Sequence, residues 1–280
     1  MNAFARISRR LLALLAASVI MTSAQAQPKS SVYLFAVSEG TSGGIDATQA
    51  FSKYNPLMAV MEKALGRKVE FVFIRGFDEL EEGMKRGTYD LVMARPSDYP
   101  GRGVRDYKYK LVTTAKPDGQ CYLIVDKSSP LKSIADARGK NVAFPEKVAY
   151  MSKFCAAELR DQGLTTNRIT PTYVKEQGAV AWMVENKLVD VGAVASYSPQ
   201  GRDWEKNGNR VLHKSVTQPY SPLIAGRRIA PDQVNKLKAR LSELDQSEDG
   251  RKILKTLGIT GFQAEGPERL LKLLEWLERK

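Results

Sequence analysis

The 280-residue sequence holds one histidine, His213, and two cysteines, Cys121 and Cys155. One histidine, two separated cysteines and no tight carboxylate cluster make no metal-ligand set, so neither a metal nor a cofactor is expected. No G-x-S-x-G elbow, Walker A loop or dinucleotide fingerprint occurs; Ser42-Gly43-Gly44 lacks the lysine-serine ending of a phosphate loop. A cysteine nucleophile served by His213 is the sharpest catalytic alternative, but it rests on a single unpatterned histidine. No catalytic residue is assigned. Beyond the first segment there is no stretch of about twenty uninterrupted apolar residues, so no transmembrane helix is expected. Fixed-period repeats and low-complexity tracts are absent as well.

The first segment is informative. Arg6, Arg9 and Arg10 stand without an acidic neighbour, Leu11 to Met21 is apolar, and Ala24-Gln25-Ala26 is a small-residue cleavage site. Together these make residues 1–26 a secretory signal, with the mature chain beginning at Gln27. Ser8-Arg9-Arg10-Leu11-Leu12 partly resembles a twin-arginine signal, and the export route stays open. No cysteine near the cleavage point could carry a lipid, so a freely diffusing periplasmic protein is expected of a Gram-negative host. Three of the twelve net positive charges leave with the signal. The mature chain remains basic, yet its positive residues are scattered in pairs such as Lys85-Arg86 and Arg227-Arg228, a pattern that speaks against nucleic acid. An oxidising compartment permits Cys121 and Cys155 to pair; two small buried residues are the plainer reading.

From Ser31 onward, β-rich runs alternate with amphipathic stretches. Val32 to Val37 reads as a buried strand, a loop follows to about Phe51, and Pro56 to Leu65 reads as a helix that Gly66 stops. Val69 to Ile74 and Asp90 to Ala94 read as strands with a helix from Phe77 to Lys85 between them. The same grammar recurs from Cys121 to Ala195, and the chain from Pro231 is helical. Strands alternating with helices imply α/β architecture with mainly parallel sheets flanked by helices. The economical arrangement is one lobe from residues 28–117 plus 215–280 and a second from 118–214, with hinge segments near Gly119 and Gln218.

The order of several phrases then resembles a known family. Ala64-Leu65-Gly66-Arg67-Lys68-Val69-Glu70, Phe77-Asp78-Glu79-Leu80 with Gly87-Thr88-Tyr89-Asp90-Leu91, Arg95-Pro96-Ser97-Asp98-Tyr99, and Ser128 to Phe144 with its Asp136-Ala137-Arg138-Gly139-Lys140 core follow one another. So do Val189 to Val194 and Gly250-Arg251 through Gly258-Ile259-Thr260-Gly261-Phe262. This succession is similar to the phosphate, phosphite and phosphonate-binding proteins of ATP-binding-cassette importers. The resemblance implies a two-lobed type 2 periplasmic-binding fold that closes around an oxyanion. Members that bind phosphonates place a Ser-Thr-Ser-Gly-like stretch at a helix start. Here Pro145-Glu146-Lys147-Val148-Ala149-Tyr150-Met151-Ser152 stands instead.

Hydrogen-bond donors at the expected strand ends are the candidate ligand residues: Ser38, Thr41, Ser97, Tyr99, Tyr150 and Ser152, with Gln177 and Tyr197 for the ligand's second end. Capping and turn chemistry is the alternative role for the serines and the threonine. The resulting expectation is a monomeric solute-binding protein, not an enzyme, that takes a small anionic or zwitterionic ligand to an importer's permease. A periplasmic sensor docking on a membrane histidine kinase is the alternative, and an exported hydrolase a distant third.

Overall fold

The structure is a computed structural model that describes residues 32–41 and 44–279. The signal expected at 1–26 and Ser42-Gly43 lie outside the described residues. In chain order the first half runs β1 Val32–Ser38, α1 Ala47–Leu65, β2 Lys68–Phe73, α2 Phe77–Arg86, β3 Leu91–Ala94, α3 Asp98–Asp106, β4 Lys110–Gly119, β5 Cys121–Val125 and β6 Asn141–Phe144. There follow α4 Tyr150–Asp161, β7 Thr170–Tyr173, α5 Gln177–Glu185, β8 Val191–Ala195, α6 Pro199–Asp203, β9 Arg210–Lys214, β10 Gln218–Ala225, α7 Pro231–Ser242, α8 Glu248–Leu257, β11 Gly261–Gln263 and α9 Glu268–Glu278.

Two mixed sheets form. One has the order β11-β4-β10-β3-β1-β2 and the other β7-β6-β8-β5-β9. The parallel pairs are those built by βα units: β1 lies between β2 and β3, and β6 between β7 and β8. The antiparallel pairs come from strands that run between the sheets, β4 and β10 on one side and β5 and β9 on the other. Gly119 pairs with Gln218, and just beyond them Gln120 donates to the Ser215 carbonyl at 2.6 Å while Cys121 N–H donates to the Ser215 hydroxyl at 2.9 Å. The two crossings are thus hydrogen-bonded to each other.

Parallel register decides what meets at the cleft. Val37 is level with both Phe73 and Met93, and Ser38 with Ala94, so β1, β2 and β3 end together. Phe144 is level with Tyr173, which does the same for β6 and β7 in the other lobe. Loops following these strands share one edge of each sheet, where α/β proteins bind ligands.

Two stretches differ from the sequence reading. The helix expected at Pro56 begins at Ala47, because Asp46 accepts the Gln49 N–H at 2.8 Å and the Gln49 side chain returns to the Asp46 N–H at 2.9 Å, a complete capping box. Pro56 sits inside this helix; the carbonyl it leaves without a partner belongs to Ser52, which is exposed to water. The second stretch is α3 and β4, where Pro100, Gly101, Gly103 and Pro117 argue locally against regular structure. Packing overrides them. A Cβ on Gly101 would lie 3.0 Å from Leu274, and one on Gly103 2.6 Å from Ile224, so glycine lets α3 press against α9 and β10.

Candidate functional site

Two adjacent cavities with shared walls lie between the lobes. The inner one, about 10 Å³, has walls that include Arg95, Tyr150, Met151, Gln177 and Tyr197, and its volume is that of about one water molecule. The outer one, about 360 Å³, extends along Phe73, Ile74 and Phe77 from one lobe to Glu146, Lys175 and Glu176 of the other. Glu39, Gly40, Thr41 and Phe77 line both.

Four expected residues converge here. Tyr150 and Gln177 are the first residues of α4 and α5, neither of which is capped by its N-cap side chain, so the positive end of each helix dipole adjoins the inner cavity. Gln177 also joins the lobes: its N–H donates to the Thr41 carbonyl at 3.3 Å and its side-chain amide to the Thr41 hydroxyl at 3.5 Å. Its carbonyl oxygen accepts the Ala195 N–H at 2.7 Å, fixing the amide's orientation. Tyr197 stacks on Tyr220 with centroids 4.0 Å apart and lies 5.9 Å from the Arg95 guanidinium. Burial raises the pKa of Tyr150 and Tyr197, so both remain neutral donors.

The other four are placed differently. Ser97 donates to the Pro219 carbonyl at 2.8 Å and Ser152 to the Pro145 carbonyl at 2.9 Å. Ser38 is buried and accepts the Gly40 N–H at 3.4 Å. Tyr99 stands behind Phe77, stacked at 5.4 Å, with the Arg102 guanidinium 4.3 Å from its ring. These side chains shape loops and walls. Cys121 and Cys155 form a disulfide with Cα atoms 5.4 Å apart, which ties β5 to α4; both thiols are consumed, leaving His213 no cysteine nucleophile to serve. His213 instead meets the buried Glu158 carboxylate at 2.8 Å. Among the described residues no His, Cys, Asp and Glu group could hold a metal, and no helix is long and apolar enough to cross a membrane.

Sequence reasoning missed the charged floor. Glu39 follows β1 and Arg95 follows β3, and the Ser38–Ala94 register makes them neighbours. The Glu39 carboxylate meets Arg95 Nε at 3.0 Å, Lys53 Nζ at 2.8 Å and the Tyr54 hydroxyl at 2.6 Å, while only 3% of Glu39 and 6% of Arg95 is exposed. Burial works against ionising Glu39, but Arg95 and Lys53 outweigh it and lower the pKa. Burial and then the Arg95 charge press Lys53 down to about 8, with Glu39 opposing. For Arg95, burial is overcome by Tyr220 and Glu39, and the pKa rises. The missed signal was a pair of charged residues directly after adjacent buried strands, since two opposite charges there must pair to be buried at all.

The profile of the family described as ABC transporter, phosphonate, periplasmic substrate-binding protein matches residues 45–268, most of the chain. The chain belongs to this family of periplasmic substrate-binding proteins. Solved structures agree on its fold. A Xanthomonas citri protein bound to ATP is similar with a TM-score of 0.70 at 17% identity, covering 89% of this chain and 98% of that one. PhnD1 from Prochlorococcus marinus, in complex with methylphosphonate, gives 0.69 at 12% identity over 88% and 97%. A binding-protein component of an ABC phosphonate transporter from Pseudomonas aeruginosa gives 0.66 at 18% over 88% and 85%. Within this family, the two-sheet α/β architecture is that of the type 2 periplasmic-binding proteins.

Proposed function

We propose that this substrate-binding protein captures a small oxyanion between its lobes and delivers it, as a monomer, to the permease of an ABC importer. The observation that carries the reading is the meeting at one cavity of the buried Arg95 with the first turns of α4 and α5, neither of which is capped by its N-cap side chain. A guanidinium and two helix N-termini favour negative charge together. Tyr150, Tyr197, Gln177 and Thr41 supply neutral donors around it, and no bond is made or broken. The family match and the methylphosphonate bound to the Prochlorococcus protein support a phosphonate-like ligand.

Closure follows from the same arrangement. Arg95 comes from the lobe of β1 and β3, and the helix starts come from the other lobe. An anion touching both favours the closed state by its differential affinity. Lys153 of α4 already meets the buried Asp98 of α3 at 2.9 Å across the lobes, so closure needs little further organisation. The test is a thermal-shift screen of ligand-stripped mature protein against phosphate, phosphite, phosphonates, sulfonates, sulfate, carboxylates and amino acids. At a hundred times its dissociation constant a ligand stabilises the fold by about 2.7 kcal/mol. A rise in Tm with oxyanions alone supports the proposal, and a rise only with cations or neutral solutes overturns it.

A further inference from the structure

The cavity next to the charged floor and the cavity beyond it differ in size and in chemistry. The inner cavity, at about 10 Å³, has room for little more than an oxygen atom, and its walls combine Arg95, its carboxylate partner Glu39 and the donors described above with Pro96, Met151 and Phe77. The outer cavity is about 360 Å³, shares the walls Glu39 to Thr41 and Phe77 with the inner one, and has an apolar flank of Ile45, Phe73, Ile74 and Phe77. Phe77 is held from behind by its stack on Tyr99. Arg75 donates to the Ile45 carbonyl at 3.1 Å and lies 5.7 Å from the Phe73 ring, fixing the lip on which Ile45 sits. A bare oxyanion would place one oxygen at the polar end and leave this flank wet.

We infer that the ligand is an organic oxyanion with an apolar substituent about the size of a ring: the head meets Arg95 and the helix starts, and the substituent lies in the outer cavity against Phe73, Phe77 and Ile45. This inference rests on the proposed anion capture and adds the substrate class. Burying two further methylene-sized groups corresponds to an affinity gain of about tenfold. Glu146, Lys175 and Glu176 carry both signs of charge at the far rim, so a polar terminus on the substituent meets a partner there.

The experiment titrates ligand-stripped protein calorimetrically with methyl and phenyl members of three head-group series, phosphonate, sulfonate and carboxylate, and with inorganic phosphate. It repeats the set on Ile45→Trp, a half-buried loop position where the larger ring occupies the outer cavity. Expected is a phenyl member at least about tenfold tighter than its methyl counterpart in the series that binds, with that advantage lost in Ile45→Trp, where the introduced ring takes the place of the substituent. Equal methyl and phenyl affinities, or a phenyl advantage that survives Ile45→Trp, overturn the inference and leave anion capture standing. Failure of every head group in wild-type protein overturns anion capture and the inference together.

Discussion

Glu39→Gln tests the buried charge network. The substitution keeps the side chain's length and an accepting oxygen but removes the one negative charge shared by Arg95 and Lys53. Lys53, with its pKa already near 8, can respond by releasing its proton. Arg95 cannot, and loses its carboxylate partner inside the fold. Removing one partner of a buried ion pair costs about 3–5 kcal/mol; the retained acceptor and the titratable lysine put this case near the lower end, at about 3 kcal/mol. In a domain of this size each kcal/mol moves Tm by about 2–4 °C, so a fall of about 6–12 °C is expected in thermal unfolding at pH 7. Lys53→Met alone and the double variant complete a cycle, and the two changes should be clearly non-additive. If Glu39→Gln stays within about 1 kcal/mol of wild type, or the cycle is additive, the network is not desolvated as the geometry requires.

Lys53 also sets a pH dependence: its pKa falls from 10.5 when unfolded to about 8 in the fold. The unfolded chain therefore binds more protons between those values, and stability should rise as pH climbs through that window; denaturant melts should show the rise in wild type and a flatter profile in Lys53→Met. Glu39 has the opposite window, with stability present above its ordinary 4.5 and lost as pH drops through its lowered native value. Opening the Cys121–Cys155 link frees a loop with a sequence separation of 34 and should cost roughly 4 kcal/mol by loop entropy; a Tm unaffected by reductant would contradict this. Gly119→Ala places a Cβ 2.8 Å from the Tyr197 ring, and calorimetry should find weaker anion binding together with about 1–3 kcal/mol of destabilisation. Lys153→Ala removes an interlobe ion pair without touching the cavity walls, so severalfold weaker binding is expected, while unchanged affinity would show that the pair does not favour closure.

The βα units were legible because their strands are buried on both faces: β3 is buried at all four positions and β8 at all five, which forces continuous apolar runs into the sequence. The start of α1 was hidden by the Ser, Thr and Gly residues before it, although Asp46 and Gln49 had the spacing of a capping box. Helix α3 was hidden because its glycines serve contacts with α9 and β10 that no local pattern records. At the site, Tyr150, Gln177, Tyr197 and Thr41 could be named as donors at strand ends. Ser38, Ser97 and Ser152 looked equivalent, because a hydroxyl facing a ligand and one bonded to a nearby backbone group leave the same trace. Glu39 and Arg95 were invisible for another reason: their pairing exists only through the register of β1 with β3.

In the proposed function, Arg95 reads the anion held between the lobes. Calorimetric titration of the stripped mature protein with the best oxyanion from the screen, wild type beside Arg95→Met, tests it most directly. One site per chain is expected in wild type, and an affinity lower by about tenfold to a hundredfold in the variant, the loss expected for a charge-assisted hydrogen bond. A folded Arg95→Met protein that binds the same anion with wild-type affinity would contradict it.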